Sequence, residues 1–134
     1  VLFYCVSNAA RSQLAEAVAR HLRPEVEAWS AGAAPSHVRP QVSRVLQEVG
    51  ISSVGLRAKA LGAVPVEDID LAVTLCAEWE RPVFPSSLHR LSWPLPDPAS
   101  APADESMEAF RATRDELLRR LPPLLDRLAR GERP

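Results

Sequence analysis

Short, wholly apolar runs alternate along this chain with longer segments in which apolar residues return every three or four positions. Val1-Leu2-Phe3-Tyr4 is apolar throughout, the pattern of a parallel strand buried on both faces. From Gln13 to Leu22 the residues Leu14, Ala15, Val18 and Leu22 share one side of a helix, with Ser12 placed to cap or open it. Val26–Ser30 predicts a second strand and Ala31–Pro35 the loop that leaves it. Arg39-Pro40 predicts a helix start, since proline fits the first turn; Val42, Val45, Leu46 and Val49 make its apolar face and Gly50 its stop. Ile51–Ala60 has no clear period and is expected to run back along the surface, with a short helical turn within Leu61–Glu67. Ile69–Leu75 predicts a third strand and Leu88–Trp93 a short fourth. From Asp104 a long apolar stripe runs through Met107, Phe110 and Leu117 to Leu121, where Pro122-Pro123 is expected to break or kink the helix before Leu124, Leu125 and Leu128.

Strands alternating with helices predict the α/β class: a single domain over residues 1–134, three-layer αβα, with a central four-stranded parallel sheet. Right-handed crossovers bring all the carboxyl ends of such a sheet to one edge, where ligands bind. Cys5 ends the first predicted strand and Cys76 the third. The two cysteines therefore arrive independently at the same edge.

Composition narrows the function. The net charge is −1 with no basic block, so neither nucleic acid nor an anionic membrane is an expected partner. No apolar run approaches the roughly 20 residues that span a bilayer, and no signal-peptide pattern is present, so a cytoplasmic location is expected. A structural disulfide between two cysteines is not expected in that compartment. His21, His37 and His89 form no ligand pattern with the cysteines, so no metal or other cofactor is expected. Positive charge is carried almost wholly by arginine, Lys59 being the only lysine.

The candidate chemistry lies in Cys5-Val6-Ser7-Asn8-Ala9-Ala10-Arg11-Ser12, between a strand and a helix. Backbone N–H groups of Val6, Ser7, Asn8, Ala9 and Ala10, with the Arg11 fork and the helix N-terminus, suit a tetrahedral oxyanion. The same field favours a Cys5 thiolate, and the Ser12 hydroxyl is placed to donate to its sulfur. Asn8 tolerates the left-handed backbone such loops use. Taken alone, Cys-x5-Arg fits a buried structural cysteine and a surface arginine equally well; its position at a strand-to-helix turn gives it weight.

Cys5-x5-Arg11-Ser12-Gln13-Leu14-Ala15-Glu16 resembles the active-site signature of the low-molecular-weight protein tyrosine phosphatase superfamily, and its Arg-Ser-Gln-x-Ala-Glu continuation is similar to the thioredoxin-coupled arsenate reductase branch. Trp29-Ser30-Ala31-Gly32, Val73-Thr74-Leu75-Cys76 and Trp93-Pro94-Leu95-Pro96-Asp97-Pro98 extend the resemblance in order along nearly the whole chain. The resemblance implies an enzyme acting on arsenate or phosphate, with Cys5 as nucleophile, Arg11 and Ser12 assisting it, Asp97 as general acid and Cys76 as a second thiol that attacks Cys5. Asn8, Glu16 and Ser30 match positions that steady the loop from behind or bind a cation. The chain departs from this branch in lacking a third cysteine, with Arg81 standing where that thiol is expected. The resulting disulfide would then be reduced directly by thioredoxin, or by glutathione with a glutaredoxin-like partner. The alternative is an aryl phosphatase, against which Ala99-Ser100-Ala101-Pro102 lacks the tyrosines that phosphatases place after their Asp-Pro. A further alternative is a non-catalytic protein that binds oxyanions or arsenite.

Overall fold

The structure, a computed structural model, describes residues 1–76, 84 and 88–132. Four short strands, β1 (Leu2–Tyr4), β2 (Trp29–Ala31), β3 (Leu71–Thr74) and β4 (His89–Ser92), pair in the order β2-β1-β3-β4. Every pairing is parallel, with Tyr4 opposite both Ala31 and Thr74. The helices are α1 (Arg11–Leu22), α2 (Pro40–Gln47) and α3 (Ser106–Ala129), with short 3-10 turns at Leu61–Ala63, Val66–Asp68, Pro98–Ser100 and Ala103–Glu105. This is the expected α/β fold on a four-stranded parallel sheet.

Alternation along the strands divides the core. Phe3, Leu71 and Val73 pack with Leu14 and Val18 of α1, Val42 and Leu46 of α2, and Phe110, Leu117 and Leu121 of α3. Leu2, Tyr4 and Ala72 point the other way, into a second cluster with Val64, Ile69, Phe84 and Leu88. Burial of apolar area on both faces, at roughly 25 cal/mol per Å², is what holds the sheet between its layers. Among the described residues, no helix is long and apolar enough to cross a membrane.

Where elements differ from expectation, the cause is tertiary. The second strand covers Trp29–Ala31 rather than Val26–Ser30, because Val26 closes a turn onto the Arg23 carbonyl at 3.0 Å and the ladder opens only where Trp29 N–H meets the Val1 carbonyl. The third strand begins at Leu71 because Ile69 still bonds back to Val66. The proline pair does not break the last helix: α3 is continuous through Pro122 and Pro123. Two missing N–H groups forfeit two ladder bonds, but Leu117, Leu121, Leu124 and Leu125 bury one unbroken stripe that keeps the helix in register. The 51–60 segment does not simply follow the surface, since Ile51 and Lys59 are both buried.

Candidate oxyanion site

The loop from Cys5 to Ala10 joins β1 to α1 and turns its carbonyls outward. Val6 O accepts from Ala34 N at 2.9 Å, Ser7 O from Ser36 N at 3.0 Å, Ala9 O from Arg39 N at 3.0 Å and Ala10 O from Leu14 N at 2.9 Å. Asn8 O accepts from the Gln13 side-chain amide at 2.9 Å. Among the described residues, the N–H groups of Val6 to Ala10 have no acceptor. A run in which the carbonyls of Val6 to Ala10 are all bonded and the N–H groups of the same residues are not has the form of an anion nest, reinforced by the N-terminus of α1. Asn8 takes the left-handed conformation, φ 48°, that reverses the chain there. Gly32 is what lets β2 pass behind: a β-carbon on it would lie 2.5 Å from Val6 O and 2.7 Å from Cys5 O.

Hydrogen-bond direction in this loop follows from one unambiguous donor. The backbone N–H of Lys59 meets Asn8 Oδ1 at 3.0 Å, so the Asn8 amide nitrogen faces the other way, donating to Ser12 Oγ at 2.7 Å. Ser12, having accepted there, keeps its proton for Cys5 Sγ, 2.8 Å away. A hydroxyl at that distance is placed to donate to a sulfur that carries charge during reaction. Ser12 is also not the expected cap: α1 starts at Arg11 behind Ala10 with no side-chain cap, which puts Ser12 inside the first turn with its hydroxyl on Asn8 and Cys5.

Arg11 is buried, and its Nη1 donates to the carbonyls of Leu75 at 3.3 Å and Leu95 at 3.1 Å. One end of the guanidinium thus ties the loop to the end of β3 and to the segment that carries Asp97, two residues beyond Leu95. Asp97 is exposed, accepts from Ala99 N at 3.0 Å and opens the turn Pro98–Ser100.

Cys76 follows Leu75, whose N–H bonds to Tyr4 O at 2.8 Å, so both cysteines sit at the carboxyl edge on neighbouring strands. No disulfide joins them and both are buried. Their side chains part: Cys5 meets α1 through Ser12, whereas Cys76 packs in the opposite cluster with Tyr4 and Phe84. Burial raises the Tyr4 phenol above its ordinary range, and the Cys76 and Cys5 sulfurs push it the same way. Arg81 lies outside the described residues.

The chain matches the family described as Low molecular weight phosphotyrosine protein phosphatase over residues 1–133. It belongs to that family. It is 32% identical over 126 residues to an arsenate reductase of Halalkalibacterium halodurans, covering 90% of this chain and 91% of that protein. An arsenate reductase in the phosphate binding state superposes with TM-score 0.77 at 27% identity, covering 94% of this chain and 95% of that one. A Corynebacterium glutamicum thioredoxin-dependent arsenate reductase superposes with TM-score 0.70 at 29% identity, over 93% of this chain and 60% of that one.

Behind this family's signature loop lies a buried polar web, only part of which sequence reasoning finds. Glu16 Oε1 accepts from Ser30 Oγ at 2.7 Å. Lys59 joins them, its Nζ 3.3 Å from Glu16 Oε1, 3.3 Å from Ser30 Oγ and 3.1 Å from Arg57 O. Burial pushes the Lys59 ammonium below its ordinary range and Glu16 draws it back up. Gln13 spans the web, its amide nitrogen 2.9 Å from Asn8 Oδ1 and from Arg57 O. Lys59 and Gln13 were both unassigned by pattern. The one trace of Lys59 in the sequence is that it is a lone lysine in a chain that otherwise uses arginine.

Proposed function

We propose that the protein is an arsenate reductase, with a loop that also accepts phosphate. The observation that carries this reading is the pairing of a nest of outward-carbonyl peptides with Cys5 held 2.8 Å from a hydroxyl donor. The naming of its relatives as arsenate reductases supports the choice of oxyanion. Arsenate enters the nest, where the loop N–H groups and the unengaged side of the Arg11 fork balance its charge. Cys5 thiolate attacks arsenic as Asp97 protonates the departing oxygen, releasing water and leaving a sulfur–arsenic bond. Cys76 thiolate then attacks Cys5 Sγ; the electron pair of the sulfur–arsenic bond passes to arsenic, which leaves as arsenite, and a Cys5–Cys76 disulfide remains.

For that last step Cys76 must leave its seat beside Tyr4 and Phe84 and cross to the face of Cys5. Strands about 4.8 Å apart that advance about 3.3 Å per residue bring α-carbons at this offset to roughly 6 Å, within disulfide reach. An external thiol system, thioredoxin or glutathione with a glutaredoxin-like protein, restores the two thiols; the thioredoxin-dependent relative supports the first.

The second reading, an aryl phosphatase, is favoured by the distinct seat of Cys76, since water replaces the second thiol in that chemistry. Arsenate turnover with each reductant, beside aryl-phosphate hydrolysis, separates them for wild type and Cys76→Ser. Loss of arsenate reduction in Cys76→Ser supports the reductase. Full retention removes Cys76 from the mechanism, and turnover of the aryl phosphate alone makes the protein a phosphatase.

A further inference from the structure

The buried web behind the loop contains a full negative charge on the helix that must present a positive end. Glu16 is completely buried, four residues after Ser12 on α1. Left uncompensated, its carboxylate would oppose both the Cys5 thiolate and a bound oxyanion, because charges in a poorly solvated interior act over several ångströms with little screening. Two cations meet it. Arg20 Nη1 lies 2.7 Å from Oε2, but the Arg20 side chain is 45% exposed and is screened by solvent. The Lys59 side chain is only 7% exposed, and its ammonium is enclosed by the Glu16 carboxylate, the Ser30 hydroxyl and the Arg57 carbonyl. A compact point charge with three rotatable donors fits three convergent oxygens where a planar guanidinium does not. That accounts for lysine at this position in an arginine-rich chain.

We propose that Lys59 is a positioning residue for Cys5, its enclosed ammonium cancelling the charge of Glu16 so that the loop keeps the positive field that makes Cys5 reactive. The inference rests on the reading of Cys5 as the nucleophile, and it assigns the requirement to charge balance rather than to packing of the lysine stem. The same residue's backbone N–H sets Asn8, and through it Ser12, so the residue that carries the charge also begins the relay that ends on the sulfur.

The test is the rate of Cys5 alkylation by iodoacetamide at pH 7, with the label located by mass spectrometry, in wild type, K59M, K59R and K59M/E16Q. K59M keeps the stem and removes the charge, and is expected to react about ten-fold more slowly. K59M/E16Q removes both charges and is expected to return to within about threefold of wild type, a recovery that a packing role for Lys59 does not produce. A wild-type rate in K59M overturns the proposal, as does a double variant as slow as K59M. Should K59M fail to fold, the double variant, which leaves neither partner of the Lys59–Glu16 pair charged, decides alone: a ten-fold loss there overturns the proposal. K59R is expected to fall between wild type and K59M; a rate below K59M overturns the charge assignment. Arsenate turnover by wild type is measured in parallel, so that a protein inactive on arsenate but following this alkylation order refutes the proposed function and leaves the role of Lys59 standing.

Discussion

The ends of β1 and β3 lie side by side in the same sheet, and each delivers a cysteine, yet they place it in opposite chemical settings. Cys5 enters a web of oriented donors, with Ser12, Asn8 and the Lys59 backbone aligned toward its sulfur. Cys76 enters an apolar cluster beside Tyr4 and Phe84. Burial and strand position are alike for the two cysteines, so what separates them is that the Ser12 hydroxyl lies 2.8 Å from the Cys5 sulfur while Cys76 packs with the cluster on the other face of the sheet. In the proposed reaction, the nucleophile that acts first and the thiol that follows it are separated by which face of the sheet each side chain takes.

That contrast is breakable at several points. Replacing Cys5 by Ser is expected to lower turnover of arsenate at least about a thousandfold while leaving the thermal midpoint nearly unchanged, since an activated nucleophile has no substitute; residual turnover above that level would mean the wrong thiol had been assigned. In wild type, timed alkylation should label Cys5 on the order of a hundredfold faster than Cys76, and equal rates would erase the distinction between the two strand ends. Ser12→Ala removes the donor to the sulfur and is expected to slow Cys5 alkylation about tenfold, from the loss of one charge-assisted hydrogen bond. Gly32→Ala forces a β-carbon onto the Val6 and Cys5 carbonyls and should destabilise by about 1–3 kcal/mol in urea denaturation, with weaker phosphate binding; an unchanged midpoint would show that the loop yields freely.

The smallest effect is expected far from both edges. Arg111 and Arg114 of α3 hold the Glu48 carboxylate below its ordinary range, through hydrogen bonds first and charge second. A carboxylate lowered in the folded state adds stability that is present above its ordinary titration range and lost as pH falls through its folded value. Glu48→Gln should therefore flatten the acid limb of the stability curve slightly and leave Cys5 alkylation unchanged, whereas an altered alkylation rate would mean that the helix layer is coupled to the loop.

The arrangement of elements was readable because it rests on local pattern: an apolar tetrapeptide, a small polar loop and a 3.6-residue stripe leave little choice but strand, turn and helix. Ser12 shows the limit. Its position before an amphipathic run suggests a helix cap, but the helix begins one residue earlier, at Arg11, and the Ser12 hydroxyl is engaged by Asn8 and Cys5. Pro122 and Pro123 show it again, because local chemistry argues for a break and a buried leucine stripe argues against it.

The sequence by itself determined that a cysteine, five small or polar residues and an arginine would stand at a strand-to-helix turn, and that a second cysteine would reach the same edge, since strand order and the period of the pattern suffice for both. Only the tertiary structure decided which face each sulfur takes, that the lone lysine of an unpatterned segment is enclosed behind the loop, and that a glycine of β2's exit must lie against the Val6 carbonyl. Those depend on contacts between residues tens of positions apart, where direction and distance, not residue type, set the chemistry.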